Sequence, residues 1–341
     1  MLRLCQAAGL VKLGHVALDG TKIKANASKH KAMSYGRMAA AEQRLEQEVK
    51  DLLAQAAAVD GAEDVRYGKD KRGDELPAEL ARRESRLRKI REAKAALEYE
   101  AKEEAEAGAA AAQARIAERQ RHEAATGQKA KGRVPPVPAP AQARPPTKAQ
   151  RHFTDPDSRI MKDGATKAFE QAYNAQVAVD SQAQIIVAAA VTQEANDKQQ
   201  LVPMLLAVQD NVGQLPEKAS ADTGFFSEAN LTAKALEGVA LYVPPERPPY
   251  TTPGAVASAA VPAAGSVREQ MRHKLQTPEG QAIYKLRKAI VEPVFGQIKE
   301  GRGFRRFSFR GLVQVAAEWA IICLTHNLLK LFRGRTALLA A

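Results

Sequence analysis

The spacing of apolar side chains predicts a strand near the start of the chain. Residues 10–27 are rich in aliphatic and β-branched side chains, a composition that favours a strand and its exit. Within this segment, Asp19-Gly20 is also compatible with a hairpin turn between two strands.

Residues 37–122 have a different pattern, because small and aliphatic side chains recur every three or four positions among Glu, Lys and Arg. This spacing predicts two long helices with a heptad-like apolar stripe. Gly61, Gly68 and Gly73 separate the two runs, so we expect an antiparallel helical hairpin. A charged, alanine-rich hairpin of this kind is typical of a solvated spacer or an oligomerisation arm.

A proline-rich segment follows the helices. Residues 126–150 contain six prolines, which interrupt the hydrogen bonding of helix and sheet alike. We expect this segment to be a semi-extended, disordered linker.

From residue 151 onwards the pattern is that of a globular domain. Residues 173–180 alternate in polarity and residues 185–192 are almost continuously apolar, which predicts an antiparallel hairpin. Asn196 is expected to cap a helix that runs to Val212, although Pro203 favours a later start. Short strands are predicted at 218–222 and 239–243.

The remaining segments predict helices. Ser227 is expected to cap a helix that contains Leu231 and Leu236. A later helix has one apolar side, made of Ile283, Leu286, Ile290, Val294 and Ile298. The last helix, over residues 312–331, is apolar around most of its circumference and is therefore predicted to be largely buried. The order of strands and helices predicts an α/β fold with a mixed sheet.

The composition narrows the class of protein. The chain has 341 residues, with 51 Lys and Arg against 39 Asp and Glu, a net charge of +12. This surplus indicates a polyanionic partner, of which nucleic acid is the commonest. The two cysteines exclude a disulfide scaffold and a cysteine-based zinc site, and they suit a reducing cytoplasm. No run of eighteen apolar residues occurs, so no membrane-spanning helix is expected.

Three carboxylates lie at the ends or edges of apolar elements. Asp19 is embedded in the first strand, Asp222 ends a short strand, and Glu292 lies in a predicted helix. Buried acids are costly unless they are paired or bind a metal, and carboxylate oxygens are preferred ligands of hard divalent cations. A metal site is one interpretation; a turn or a helix cap is the alternative for an aspartate at the end of a strand.

Basic residues surround two of these acids. Residues 284–313 contain eight basic side chains against two acidic ones, and Lys22 and Lys24 follow Asp19. Carboxylates in basic surroundings fit a metal site that acts on phosphates. The phenylalanines of the string GFRRFSFRG fit either a core or a base-stacking surface, and we favour the core.

Several separate strings of the chain resemble DDE transposases of bacterial insertion sequences, in the insertion-sequence-four-like branch. The strings are HVALDGTKIKANAS, FTDPDSRIMKDG, YNAQVAVDSQAQIIVAAAVTQEANDKQQL, SADTGFFSEANL, and YKLRKAIVEPVFGQIKEGRGFRRFSFRGL with LTHNLLKLFR after it. They occur in family order over most of residues 10–333.

The resemblance implies an RNase H-like fold, a mixed sheet flanked by helices. It implies that Asp19, Asp222 and Glu292 are the catalytic residues and together hold two Mg²⁺ ions, for which Mn²⁺ is a possible substitute. DNA phosphates would be contacted by basic residues near these acids: Lys22, Lys24, Arg287, Lys288, Lys299, Arg302, Arg305 and Arg306. Glu292 and Lys299 keep the family's spacing, whereas Tyr284 and Arg287 lie one residue farther upstream than usual.

The resemblance also implies a domain organisation. Residues 1–36 would hold the first catalytic strand and its exit, and residues 37–125 would be a helical, coiled-coil-like insertion. Residues 126–150 would be the linker and residues 151–341 the remainder of the catalytic domain. Only about eighteen residues precede Asp19, whereas family members usually carry a helical DNA-recognition region there, so an N-terminally truncated chain is expected.

Three functions remain open from the sequence. The first is a transposase that cleaves and joins double-stranded DNA in the bacterial cytoplasm, associated with the nucleoid, as a homodimer assembled on DNA and without a membrane. The second is a truncated, inactive DNA-binding remnant of such an enzyme. The third, a coiled-coil scaffold, accounts for residues 37–122 alone.

Overall fold

The computed structural model describes residues 1–28, 31–67, 78–129, 132–164, 166–246 and 265–340, with side chains left out at 55–67, 78–79 and 335–340. Its contacts divide the chain into two compact units. One unit combines Met1–Lys29 with Asp157–Ala341, and the other is His30–Pro156. Gly61, which was expected to separate the two helical runs, lies inside the helix Tyr35–Tyr67, so that part of the prediction is wrong. The loop predicted at Gly68 and Gly73 falls outside the described residues.

The described residues form strands and helices in mixed order. The strands are β1 (His15–Lys24), β2 (Ala32–Ser34), β3 (Gln150–His152), β4 (Arg159–Lys162), β5 (Phe169–Asp180), β6 (Ile186–Thr192), β7 (Lys218–Ser220) and β8 (Ala240–Tyr242). The α-helices are α1 (Leu2–Ala7), α2 (Tyr35–Tyr67), α3 (Ala78–Thr126), α4 (Leu201–Val212), α5 (Glu228–Leu231), α6 (Val267–Gln276), α7 (Pro278–Gly296) and α8 (Leu312–Ala340).

A mixed sheet forms the centre of the first unit, in the order β4-β5-β1-β7-β8, with β6 also paired to β5. Strands β1, β5 and β6 are antiparallel neighbours, and β7 and β8 then add in parallel on the other side of β1. The prediction of a mixed sheet and of the hairpin from β5 to β6 is confirmed. Strand β1 continues through Asp19-Gly20, so the alternative of a hairpin turn at that point is wrong.

Alternating positions of β1 serve two apolar cores on opposite faces of the sheet. Val16 and Leu18 pack with the inner side of α4. Ala17 and Ile23 pack with α7 and α8. Period-two alternation therefore gives each face of the central strand its own helices, as expected for a sheet that is covered on both sides.

Two of the predicted helices begin or end elsewhere. Helix α4 begins at Leu201, and Asn196 instead accepts a hydrogen bond from the Lys198 amide at 3.3 Å. The later start suits Pro203, which lacks an N–H and is tolerated only in the first turn. Ser227 does cap a helix, by accepting from the Asn230 amide, but α5 stops at Leu231 and a separate 3₁₀ turn follows.

The last helix is only partly buried. Helix α8 places Trp319 and its neighbours of the same side in the core, but Val313 is 78% exposed and Phe332 is 67% exposed. The prediction of a largely buried helix is therefore wrong. Residues 312–334 are also long and apolar enough to cross a membrane by length and composition, a property that core helices of soluble proteins share.

The second unit contains the two predicted long helices. Met38 and Leu45 of α2 pack against Leu87, Ile90 and Leu97 of α3. Ion pairs also join the helices, among them Lys94–Glu42 at 2.7 Å. The proline-rich segment contains a 3₁₀ turn at Pro140–Gln142, and its predicted disorder stays a prediction, as do the predicted domain boundaries and the coiled-coil character.

Candidate functional site

Asp19 lies in the middle of the central strand, at the point where one edge of that strand becomes open. On one side, β1 pairs with β5 from Val16 to Lys24. On the other side, it pairs with β7 only as far as Ala17, which is opposite Ser220. Its side chain is 20% exposed and points to the face that α7 covers.

Asp222 lies beside Asp19 because of the register of the two parallel strands. It follows Ser220 by two residues, just as Asp19 follows Ala17 by two, so extension of the register brings the two acids to the same level. Its Oδ1 accepts a hydrogen bond from the Gly224 amide at 2.9 Å, which caps the 3₁₀ turn Thr223–Phe225. The chain turns away there and leaves the carboxylate half-buried at the open edge.

The pKa of Asp19 is raised, chiefly because the carboxylate is buried. Burial raises that pKa from 3.8 to about 6, the Arg287 guanidinium opposes the rise, and the carboxylates of Asp222 and Asp197 add to it. A carboxylate whose charge is disfavoured by burial and by like charges is stabilised when a cation binds. Asp19 and Asp222 therefore supply two carboxylates of the kind that divalent cations prefer.

Arg287 of α7 is the cation that the structure places next to Asp19. Its side chain is only 8% exposed, and its Nη1 lies 3.4 Å from Asp19 Oδ2. The guanidinium carbon lies 5.8 Å from the centre of the Tyr284 ring. Arg287, not the predicted Leu286, belongs to the buried side of α7, since Leu286 is 52% exposed.

Glu292 is not brought to the two aspartates. It is exposed on α7, and its charge is absent from the interactions that shift the pKa of Asp19. Five residues separate it from Arg287, which rotates it by about 140° around the helix from the side that faces Asp19. Among the described residues, no three His, Cys, Asp or Glu side chains are grouped closely enough to hold a metal ion. The catalytic role of Glu292 stays a prediction.

Asp197 is the third acid near this edge, and the sequence reasoning missed it. Its Oδ1 accepts hydrogen bonds from the side-chain amides of Asn174, at 2.6 Å, and Gln176. Lys22 Nζ lies 3.9 Å from the same oxygen. One signal was present: Asn174 and Gln176 interrupt the apolar positions of a strand that is buried from Gln171 onwards, and buried amides require polar partners.

The predicted DNA-contacting residues have different surroundings. Lys22 faces the acids, Lys24 pairs with Glu170 at 3.2 Å, and Lys288 is exposed on α7. Lys299 donates to the Lys22 carbonyl at 3.0 Å, and Arg302 donates to the Ile322 carbonyl at 3.2 Å. A cavity of about 420 Å³ is lined by five of the predicted residues together with Asp163, Glu170 and Glu300; the five are Lys22, Lys24, Lys299, Arg305 and Arg306.

The basic segment 302–310 is fastened to the sheet and to α8. Phe307 is buried, edge-on to Tyr173 at 5.9 Å and to Trp319 at 6.5 Å between ring centres. The Glu318 carboxylate accepts hydrogen bonds from the backbone amides of Ser308 and Phe309. The preference for a core role is thus confirmed for Phe307, whereas Phe309 is 55% exposed.

Comparison with known proteins gives one family. Residues 256–332 match the family model described as a transposase DDE domain. The match supports a DDE transposase, for which an RNase H-like fold is implied, and it covers Glu292 and Lys299 but neither Asp19 nor Asp222. No curated protein and no solved structure matches the chain.

Proposed function

We propose that this chain is a transposase that cuts DNA strands and joins them during transposition of a bacterial insertion sequence, in the insertion-sequence-four-like branch. The observation that carries the proposal is the pair Asp19, on β1, and Asp222, just after the end of the neighbouring parallel strand β7, at an open sheet edge. The transposase DDE match and the adjacent basic cavity support it.

Asp19 and Asp222 would hold two Mg²⁺ ions, or Mn²⁺ in their place, with Glu292 as the acid supplied by α7. When bound, such ions activate an oxygen nucleophile and stabilise the leaving oxygen of a phosphodiester. Buried Arg287 keeps the Asp19 carboxylate in place through its ion pair. Exposed Glu292 would have to turn towards the edge when ions and DNA bind.

The basic cavity would position the DNA backbone. Lys299, Arg305 and Arg306 line one cavity with Lys24, and Arg side chains bind phosphate through fixed, forked hydrogen bonds. Double-stranded DNA of the element ends and of the target would be the substrate. The working form would be a homodimer assembled on DNA, in the cytoplasm and associated with the nucleoid.

The test is a cleavage assay with purified protein, a labelled duplex and Mg²⁺ or Mn²⁺. Asp222→Asn should reduce the rate of metal-dependent nicking by at least about 100-fold and leave DNA affinity within about 2-fold. The substitution removes the charge of the side chain but keeps its volume. Asp210→Asn, an exposed aspartate of α4, is the control and should cut like the unaltered protein. If Asp222→Asn nicks DNA at the rate of the unaltered protein, Asp222 is not a catalytic residue and the proposed site is wrong.

An inactive DNA-binding remnant is the second candidate. The exposed position of Glu292, away from Asp19, favours it. This candidate predicts salt-sensitive binding to duplex DNA without nicking in either metal. The same assay therefore separates the two functions.

A further inference from the structure

A second cavity with basic residues lies entirely within the unit His30–Pro156. It has a volume of about 440 Å³ and is bounded by β2, the start of α2, one side of α3 and the turn after β3. Four cationic side chains line it above an apolar floor. The cations are Lys31, Arg37, Arg86 and Lys89, and the floor consists of Met33, Ile90 and Phe153.

Local hydrogen bonds hold one wall of this cavity in place. Strands β2 and β3 pair antiparallel, and the Phe153 amide extends their ladder by donating to the Lys31 carbonyl at 3.1 Å. Nδ1 of the buried His152 accepts hydrogen bonds from the amides of Thr154 and Asp155, both at 3.0 Å, and so fixes the turn after β3. The positions of Lys31 and Phe153 relative to each other are therefore set by the fold.

The packing of the helical hairpin fastens the opposite wall. Met38 of α2 packs with Leu87 and Ile90 of α3. Arg86 and Lys89 directly precede these two core residues, and both line the cavity. Like charges three residues apart on a helix repel each other, so this arrangement costs stability unless an anion is bound.

The protein does not neutralise the four cations of this cavity. Elsewhere in the unit, basic side chains pair with glutamates between α2 and α3, for example Arg83 with Glu48 at 2.9 Å and Arg91 with Glu42 at 3.1 Å. The lining of the cavity contains no Asp or Glu, and within the described part of the chain none of the four cations forms an ion pair with a carboxylate. Such a concentration of positive charge attracts an anionic partner.

We propose that this cavity is a DNA-binding site of the helical unit, in which the four cations contact phosphates of the DNA backbone. The inference rests on the proposed function and deepens it, since it assigns the helical unit a part in holding the substrate. The cavity is much larger than one phosphate ion, and its apolar floor suits the deoxyribose groups that separate the phosphates of DNA. Lysine and arginine bind phosphate oxygens through charge-assisted hydrogen bonds.

The experiment measures the affinity of the full-length protein for a fluorescently labelled duplex by anisotropy at several salt concentrations. The double variant Arg86→Gln with Lys89→Gln should bind about 10-fold more weakly and lower the salt slope of log K by about 1.8, because two phosphate contacts of about 0.9 each are lost.

The matched control is the double variant Arg44→Gln with Lys102→Gln. It removes the same charge from exposed positions of α2 and α3, where each residue is paired with a glutamate four residues later. This control should keep the affinity and the salt slope of the unaltered protein. Equal affinity and slope in the two double variants would overturn the proposal.

Pyrophosphate, added in place of DNA, separates a DNA site from a site for a small phosphate compound. A ligand that binds the folded protein raises its melting temperature. If pyrophosphate stabilises the unaltered protein but not Arg86→Gln with Lys89→Gln, and both bind the duplex equally well, the cavity takes a free phosphate compound and the proposal fails. Loss of duplex affinity in this double variant but not in the control supports the DNA site.

The failure of this inference differs from the failure of the proposed function. A protein whose duplex affinity depends on Arg86 and Lys89, but which never nicks DNA, would lack the transposase activity and keep the binding site. A protein that nicks DNA, and whose duplex affinity is the same in both double variants, would do the reverse.

Discussion

Single residues without large side chains decide the geometry of the acidic edge. At Gly20 a Cβ would lie 2.3 Å from Gln176 Nε2 as well as 2.5 Å from Asp197 Oδ1. Both distances are far shorter than ordinary van der Waals contact, and the two groups belong to one hydrogen-bonded pair. Any larger residue at this position must displace the Asp197 carboxylate or the β5 amide.

We therefore expect Gly20→Ala to lower the free energy of unfolding by about 1–3 kcal/mol, the usual cost of overpacking a core. Urea denaturation followed by circular dichroism measures it. Gly14→Ala is the control, because a Cβ there would meet nothing within 4 Å. Equal stability of the two variants would contradict the crowding at Gly20.

A buried histidine at the start of β1 gives the fold a dependence on pH. His15 donates to or accepts from Ser220 Oγ at 2.8 Å, and burial, with Lys218 nearby, lowers its pKa from 6.5 to about 4. Between pH 6.5 and pH 4, His15 therefore binds a proton in the unfolded chain but not in the folded chain. The contribution of His15 to stability is fully present above pH 6.5 and is lost as the pH falls towards 4.

His15→Gln should remove about 3 kcal/mol of this loss between pH 7 and pH 4. Glutamine can still reach a hydroxyl, so the comparison isolates the proton. The measurement is urea denaturation at several pH values. His122→Gln, at an exposed position of α3, should keep the original pH slope; a steep slope in His15→Gln would refute the assignment.

At the scale of elements, helix packing determines which side chains of α7 and α8 reach the site. Helix α7 turns Arg287 inwards and Glu292 outwards. Helix α8 packs one side on the sheet and uses Glu318 to hold the loop before it. The basic residues of that loop are therefore positioned by Glu318, a residue to which the proposed function assigns no contact with DNA.

Glu318→Gln should loosen the segment 302–310, because a neutral amide accepts the Ser308 and Phe309 amides less strongly, at a cost of about 1–3 kcal/mol. The expected result is faster trypsin cleavage after the arginines of this segment, followed by mass spectrometry. Glu237→Gln, in an exposed turn, serves as the control. Unchanged cleavage would show that the carboxylate does not hold the loop.

At the scale of the whole molecule, the net charge of +12 is shared between two units with different arrangements of charge. In the unit His30–Pro156, many of the charges are neutralised by ion pairs between α2 and α3, such as the pair Lys94–Glu42. In the other unit, five basic residues line one cavity beside the strand of Asp19 with three acids, and two of the basic residues, Lys24 and Arg305, are paired with Glu170 and Glu300. We therefore expect the DNA that is cut to bind at the cavity of the unit that contains Asp19 and not on the ion-paired surface of α2 and α3.

Arg306→Gln should weaken binding to a duplex of any sequence and reduce the salt slope of log K by about 0.9, the value for one lost phosphate contact. Fluorescence anisotropy at several salt concentrations measures the slope. Arg88→Gln, an exposed arginine of α3 paired with Glu92, is the matched control and should leave the slope unchanged. A larger effect from Arg88→Gln would place the DNA on the ion-paired surface of α2 and α3 instead.

The sequence by itself determined the main elements of the fold. Alternation along β1 and β5, the apolar sides of α4 and of the helical hairpin, and the Ser227 cap were readable because each depends on local periodicity or a local hydrogen bond. Neighbouring parallel strands then placed the two aspartates at one level.

Only the tertiary structure decided which other groups join them. Asp197 lies against Gly20 and accepts hydrogen bonds from two side-chain amides of β5, contacts that no sequence period encodes. The orientation of Glu292 depends on the rotation of α7 about its axis, and a register that is wrong by one residue turns a helix by about 100°. The exposed side of α8 could likewise not be predicted from the sequence. An apolar side chain favours burial, but the sequence does not show whether the sheet has room to cover it.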